Sequence, residues 1–181
     1  MRVISGKFRG KVLLSPSSEK VRPTGDKVKQ AIFTKLQFFV SDKIVLDLFS
    51  GSGALGIEAL SRGAQEVIFV DKDINSVKLT QKNLKLINSN AKVLNRDCFV
   101  ALKSFKQQFD LILIDPPYAS GVYEGCLELI YKNNLLSDDG IIVCERDKEN
   151  LINSPYFELF DSKNYGTVSV DYYCHKTSNL Q

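Results

Sequence analysis

Between residues 44 and 144, short apolar runs alternate with stretches of helical periodicity, and this alternation restricts the fold more than any other feature. The first run, residues 44–49, is apolar throughout except for Asp47, which is how a strand buried on both faces of a parallel sheet reads. Residues 67–70, 111–114 and 141–144 are further runs of this kind, and Lys92 to Leu94 reads as a short strand. Between them lie residues 54–62, which end at Gly63, residues 74–88, with Ile74, Val77, Leu84 and Ile87 near one face, and residues 98–105. Tyr123, Cys126, Leu127 and Ile130 mark one more helix before the fifth run. Strands that alternate regularly with helices predict an α/β fold, a doubly wound and mostly parallel sheet. Residues 156–160 and 167–174 are strand-like with no helix between them, which predicts an antiparallel edge.

Upstream, Val28, Ile32, Leu36 and Phe39 predict an amphipathic helix over residues 25–40. Pro23-Thr24 marks its start: Thr24 can cap, and Asp26 suits the positive end of the dipole. Val3-Ile4 and residues 12–14 flank Gly6-Lys7-Phe8-Arg9-Gly10 and predict a small β-hairpin. The 181 residues hold no internal repeat and no dividing linker. One domain is therefore expected, with residues 1–22 as a basic hairpin extension and residues 23–181 as the core.

Several function classes drop out on composition. The apolar runs are far shorter than the ~20 residues of a membrane span, so no membrane association is expected. The N-terminus has no apolar core of a secretory signal, so none is expected. Cys98, Cys126, Cys144 and Cys174 are scattered, with no C-x-x-C pair, and His175 is the single histidine. A metal site is not expected from that set, and the cysteines are expected to be small core residues. Ser-His-Asp chemistry is not expected either, because His175 sits near the C-terminus in a polar tail. The net charge of +3 conceals an asymmetry. Residues 1–30 carry eight basic side chains against Glu19 and Asp26, on a mildly acidic remainder, as a nucleic-acid contact would require or as a solvated face would allow.

In a doubly wound sheet, ligands bind beyond the carboxyl ends of the strands at the switch point, so the loop after the first strand is the place to look. Gly51-Ser52-Gly53-Ala54-Leu55-Gly56 follows that strand and fits G-x-G-x-x-G. Asp71 ends the second strand, 18 residues past Gly53, where a carboxylate accepts hydrogen bonds from ribose hydroxyls. Both NAD enzymes and S-adenosylmethionine-dependent methyltransferases share this spacing. Asp47 separates them: an acid there repels a pyrophosphate but pairs with the cationic sulfonium and ammonium of S-adenosylmethionine. A paired, purely structural carboxylate is the alternative for Asp47.

The fourth strand ends in Asp115-Pro116-Pro117-Tyr118. Two prolines remove two N–H donors and keep their carbonyls, so the turn offers acceptors only. With the Asp115 carboxylate, it can accept both hydrogens of an exocyclic amino group and direct the nitrogen lone pair at a methyl group. Tyr118 can stack on an extruded base.

The tetrad Asp115-Pro116-Pro117-Tyr118 resembles that of amino-group methyltransferases, and the whole chain resembles the RsmD family, which methylates N2 of one guanine in bacterial small-subunit ribosomal RNA. The matching blocks are residues 2–10, Arg22-Pro23-Thr24-Gly25-Asp26-Lys27-Val28, residues 47–63, the tetrad, and the late Lys163-Asn164-Tyr165-Gly166. Gly25 stands where a hydroxyl residue is common in the family, and Lys27 and Lys29 stand where arginine is common, which gives up the bidentate fork on phosphate. The resemblance implies a Rossmann-like class I S-adenosylmethionine-dependent methyltransferase fold with a small N-terminal hairpin. It implies that Asp47, Gly51 and Gly53 line the methionine end of the donor, that Asp71 holds the ribose, and that Asp97 reaches the adenine amino group with Cys98 beside it. A helix N-cap is the alternative for Asp97. Arg22 and Thr24 would lie near the donor carboxylate, and Asp115, Pro116, Pro117 and Tyr118 would be catalytic. Lys7, Arg9, Lys11, Arg22, Lys27 and Lys29 would meet RNA phosphates. The expected partner is 16S rRNA in an assembled or partly assembled 30S subunit, and the enzyme is expected to be a cytoplasmic monomer. The same chemistry on adenine N6 of DNA, an NAD enzyme, and a non-enzymatic RNA-binding factor are the rival readings.

Overall fold

The computed structural model describes residues 1–16, 23–117 and 121–176. In chain order the elements are α1 (Pro23–Lys35), β1 (Ile44–Asp47), α2 (Ala54–Ser61), β2 (Glu66–Asp71), α3 (Ile74–Leu86) and β3 (Lys92–Asn95). They continue with α4 (Cys98–Ser104), β4 (Phe109–Ile114), α5 (Val122–Lys132), β5 (Leu136–Asp147), β6 (Phe157–Tyr165) and β7 (Val168–His175). The seven strands form one sheet in the order β3-β2-β1-β4-β5-β7-β6. β3 through β5 are parallel, and β7 and β6 close the edge antiparallel, as the sequence predicts.

β1, β2 and β4 are apolar without alternation because both faces are covered. Leu46, Ile112 and Ile114 pack on Ala101 and Leu102 of α4 and on Leu127 and Ile130 of α5. Val45, Leu111 and Leu113 pack on the other side against Val28 and Ile32 of α1, Ile57 of α2, and Val3 and Leu13 of the N-terminal segment. The chain leaves β1 toward β2 and β3 on one side and returns to β4 on the other, so the switch point lies between the carboxyl ends of β1 and β4.

Several boundaries differ from the sequence reading, and four of the differences have a clear physical reason. α1 starts at Pro23, which puts Thr24 in the first turn rather than at the cap. It ends at Lys35, after which Phe39 and Val40 bond back to Leu36 in a tight turn that still buries Leu36 and Val40. Apolar spacing therefore continues where the helix does not. β5 begins at Leu136 rather than 141, and β6 runs on to Tyr165, because one-sided edge pairing needs no apolar run. His175 is no tail residue: it ends β7, with Nε2 3.2 Å from the Leu136 carbonyl oxygen.

The N-terminal hairpin is minimal, a single Arg2–Val12 bridge flanked by backbone bonds from Val3 to Lys11 and from Leu13 to Met1. It is pinned by Glu58 of α2, which is fully buried and accepts from the Ile4 and Ser5 N–H groups at 2.8 and 3.1 Å. Gly6, at φ 82°, sits so close to the end of α2 that a Cβ there would lie 1.8 Å from the Ser61 carbonyl oxygen. Cys98, Cys126 and Cys144 are buried in the core and Cys174 is half-buried, all as free thiols.

Candidate active site

Asp47 is the last residue of β1, and its neighbours in the sheet are apolar. Its side chain is buried, with Oδ2 accepting from the Gly56 N–H at 2.9 Å. Burial pushes its carboxyl up to about 7; the Gly56 bond opposes that rise and the nearby Asp71 charge adds to it. The glycines of the loop have separate tasks. Gly51 (φ 53°) and Gly53 (φ 79°) hold left-handed backbone that turns the chain from β1 into α2, and a Cβ on Gly51 would meet nothing within 4 Å. Gly56 lets α2 approach the sheet, since a Cβ there would lie 2.3 Å from the Phe69 ring.

Asp71 closes β2 and joins this loop: Oδ2 accepts from the Gly51 N–H at 2.8 Å and Oδ1 from the Asp73 N–H at 2.9 Å. From the other side the buried face of α3 grips the loop. The Thr80 hydroxyl donates to the Gly51 carbonyl at 3.0 Å, and the Asn83 amide donates to the Ser52 carbonyl at 2.8 Å. Asn83 also exchanges two hydrogen bonds with the backbone of Leu14, which ties the N-terminal segment to the loop. Neither residue stands out in the sequence. Their one signal is that two polar side chains share a helix face with Val77 and Leu84.

Asp97 follows β3 and caps α4, its Oδ1 accepting from the Phe99 and Val100 N–H groups at 2.9 and 3.3 Å. Cys98, first in that helix, is hydrogen-bonded to Cys126 of α5, which lowers its thiol. Asp115 comes directly after β4 and is half-buried; Pro116 is buried and Pro117 exposed. Tyr118, Arg22 and the side chain of Thr24 lie outside the described residues. Ile114 pairs with Cys144, so Asp115 comes level with Glu145 on β5, a carboxyl that burial pushes up to about 7. Tyr123 of α5 reaches the same edge and donates to the Glu145 carbonyl at 2.6 Å, its own hydroxyl shifted up by burial and then by Asp115. Sequence reasoning passed over Glu145. Yet it obeys the rule that found Asp47, Asp71 and Asp115, an acid at the carboxyl end of an apolar strand.

Four of the basic residues expected to face RNA are exposed: Lys7, Arg9, Lys11 and Lys27. Lys29 is not. It is 3% exposed, and its ammonium donates to the Arg2 carbonyl at 2.7 Å with Glu58 and Asp26 each 3.8 Å away. Helical periodicity explains the correction: Lys29 shares the inward face of α1 with Val28 and Ile32. Lys7 donates its N–H to the Ser61 carbonyl, so the basic tip of the hairpin sits at the end of α2 remote from the glycine loop. At 1.5 Å per residue that is about 12 Å down the helix.

Residues 1–174 match the model of the family described as conserved hypothetical protein 95. Ribosomal RNA small subunit methyltransferase D of Haemophilus influenzae is 36% identical over 179 residues, 96% of this chain and 93% of the relative. Among solved structures, the Escherichia coli protein YhhF, whose description proposes a methyltransferase, superposes with a TM-score of 0.89 at 32% identity, over 97% of this chain and 98% of that one. A T. thermophilus 16S rRNA N2 G1207 methyltransferase, solved with AdoMet and guanosine, superposes with a TM-score of 0.71 at 25% identity, over 88% of this chain and 45% of that one. With the strand order, the glycine loop and the acids that end β1 and β2 and follow β3 and β4, the match over nearly the whole length shows that the chain belongs to the conserved hypothetical protein 95 family, the RsmD family.

Proposed function

We propose that this protein transfers a methyl group from S-adenosylmethionine to the exocyclic N2 of a guanine in the 16S rRNA of the small ribosomal subunit. The observation that carries this reading is the placement of Asp115-Pro116 at the end of β4, beside the Asp47 loop at the end of β1, across the switch point of the sheet. The relatives' names, rRNA small subunit methyltransferase D and 16S rRNA N2 methyltransferase, support the substrate and the atom.

The residues present fit the donor. Asp47 is a buried carboxyl held near 7 with one N–H partner, an environment that a bound cation would relieve. The backbone of Gly51 faces open space, and Asp71 stands at the next strand end, where a ribose belongs. Asp97 bonds its own helix through Oδ1, which leaves Oδ2 for the adenine amino group. When bound, S-adenosylmethionine supplies a methyl group already activated by a sulfonium leaving group. The protein's part is positioning. Asp115 and the Pro116 carbonyl hold the two hydrogens of the guanine amino group, and Tyr118 stacks on the base. Lys7, Arg9, Lys11 and Lys27 contact phosphates of an assembled or partly assembled 30S subunit. The protein acts as a cytoplasmic monomer, and among the described residues no helix is long and apolar enough to cross a membrane.

Donor binding is expected to depend on pH in a defined sense. A cation selects the ionised form of Asp47, so donor affinity rises about tenfold per pH unit up to the carboxyl's value of about 7 and levels off above it. The same ionisation costs the unliganded fold stability as pH climbs from 3.8 through about 7, because the folded value is the raised one. Calorimetric titration between pH 5.5 and 8.5 checks this. Asp47→Asn should flatten the profile, and Glu145→Gln, which removes the other carboxyl near 7 at that edge, should not.

The activity itself is tested with labelled S-adenosylmethionine and 30S subunits that lack the modification, followed by nucleoside analysis. Labelled N2-methylguanosine is the expected product. Label in DNA adenine instead would retain the role of Asp115 and discard the RNA substrate.

A further inference from the structure

The basic tip of the hairpin lies away from the crevice, and Lys29 is spent inside the fold. A second basic surface lies level with the reaction. α1 and the β6–β7 hairpin enclose a cleft of about 490 Å³ lined by Lys27, Gln30, Thr34, Lys35, Lys163 and Tyr165, with the buried Tyr172 as its floor. Lys27 and Lys163 are exposed, and among the described residues neither takes part in an ion pair. Lys35 forms one wall, its ammonium 2.5 Å from Asp161 and 5.0 Å from the centre of the Tyr172 ring. Three lysines against one acid give the cleft a positive balance, and Gln30, Thr34 and the half-buried Tyr165 supply hydrogen bonds and an aromatic face.

Sheet register sets its distance from the chemistry. Val170 of β7 pairs with Glu145 on one side and with Lys163 on the other, and Glu145 is level with Asp115. Lys163 therefore sits in the row of Asp115, three strands away, about 14 Å at ~4.8 Å per strand. Val170 packs with Val28 and Ile32 of α1, so the row's α1 face is the one that carries the cleft.

We propose that this cleft holds the single-stranded RNA next to the target guanine, with Lys27 and Lys163 on consecutive phosphates and one unpaired base stacked on Tyr165. A positive groove with an aromatic platform is the general design of single-strand binding sites. The proposal rests on RNA being the substrate and adds where the strand runs. It gives a role to Lys163 and Tyr165, which the donor site does not use.

The test compares the parent protein with the double variant Lys27→Gln, Lys163→Gln, and with Tyr165→Ala and Tyr165→Phe. Affinity is measured for a single-stranded 16S rRNA fragment spanning the target and for unmethylated 30S subunits, between 50 and 200 mM salt, with donor affinity as the control. The lysine pair should cost about tenfold in RNA affinity and lower the salt slope by about 1.4, at ~0.7 for each phosphate no longer neutralised. Tyr165→Ala should cost about fivefold or more, and Tyr165→Phe should bind as the parent does. Donor affinity should stay within about twofold throughout. Unchanged RNA affinity and slope in the lysine variant would overturn the cleft assignment. So would a loss confined to intact subunits, which would point to a ribosomal protein as the occupant. Failure of the functional reading shows separately, as a parent protein that transfers no methyl group to rRNA.

Discussion

Replacing Asp115 with alanine is expected to slow methyl transfer by about 10²- to 10⁴-fold, with affinity for S-adenosylmethionine kept within about twofold. The split follows from which strands supply which contacts. The residues proposed to hold the donor, Asp47, Asp71 and Asp97, end or follow β1, β2 and β3, whereas Asp115 follows β4 on the far side of the switch point. In the proposed mechanism, removing Asp115 leaves the Pro116 carbonyl as the one fixed acceptor of the pair, so the amino nitrogen would no longer be held with its lone pair toward the methyl group. Asp115→Asn should fall between, since an amide oxygen still accepts but the NH₂ group meets the substrate's own donors. Single-turnover rates on unmethylated 30S subunits, alongside calorimetric donor binding, check this. A variant with parental turnover would remove Asp115 from the mechanism, and one that loses donor binding would move it to the donor site.

The second large effect concerns stability. Glu58 is fully buried and accepts from Ile4 and Ser5 N–H and from Arg62 Nε at 2.8, 3.1 and 2.8 Å, with the Lys29 ammonium at 3.8 Å. Glu58→Ala strips two backbone donors of their acceptor and leaves the buried Lys29, already disfavoured as a cation by burial, without its nearest buried counter-charge. Breaking a buried charge set by removing one partner costs about 3–5 kcal/mol. In a chain of this size that lowers Tm by about 10 °C. Denaturant and thermal unfolding measure it. Glu58→Gln should lose less, because its amide oxygen still accepts. A loss below about 1 kcal/mol for the alanine variant would mean that the hairpin and α1 are held by apolar packing alone. The effect also reaches the proposed cleft, since Lys27 is carried on the helix that Lys29 anchors.

The strands and the acids were readable for one shared reason. A strand buried on both faces tolerates few polar residues, so Asp47 inside an apolar run, and Asp71 and Asp115 at the ends of two others, announce a cost that a ligand or a network must offset. The same logic covers Glu145, and it was missed because residues 145–147, Glu-Arg-Asp, look like a polar turn after a finished strand. In the fold they are the last rungs of β5, covered by β7, with Arg146 buried and bonded to Asp171 at 2.6 and 3.2 Å.

By itself the sequence determined the α/β architecture, the antiparallel edge, the place of the glycine loop and the order of its acids. Each of these depends on residues close in the chain, or on the period of apolar side chains. Tertiary structure alone decided which of the inward-facing polar groups meet. Lys29 meets Glu58, Asn83 joins Leu14 to Ser52, and Asp115 comes level with Glu145 through partners 29, 31 to 69 and 30 positions apart, the first two through side chains and the third through strand register. No local pattern encodes those distances. They follow from how the helices fold back onto the sheet, which is also what brings Lys163 and Lys27 to one cleft.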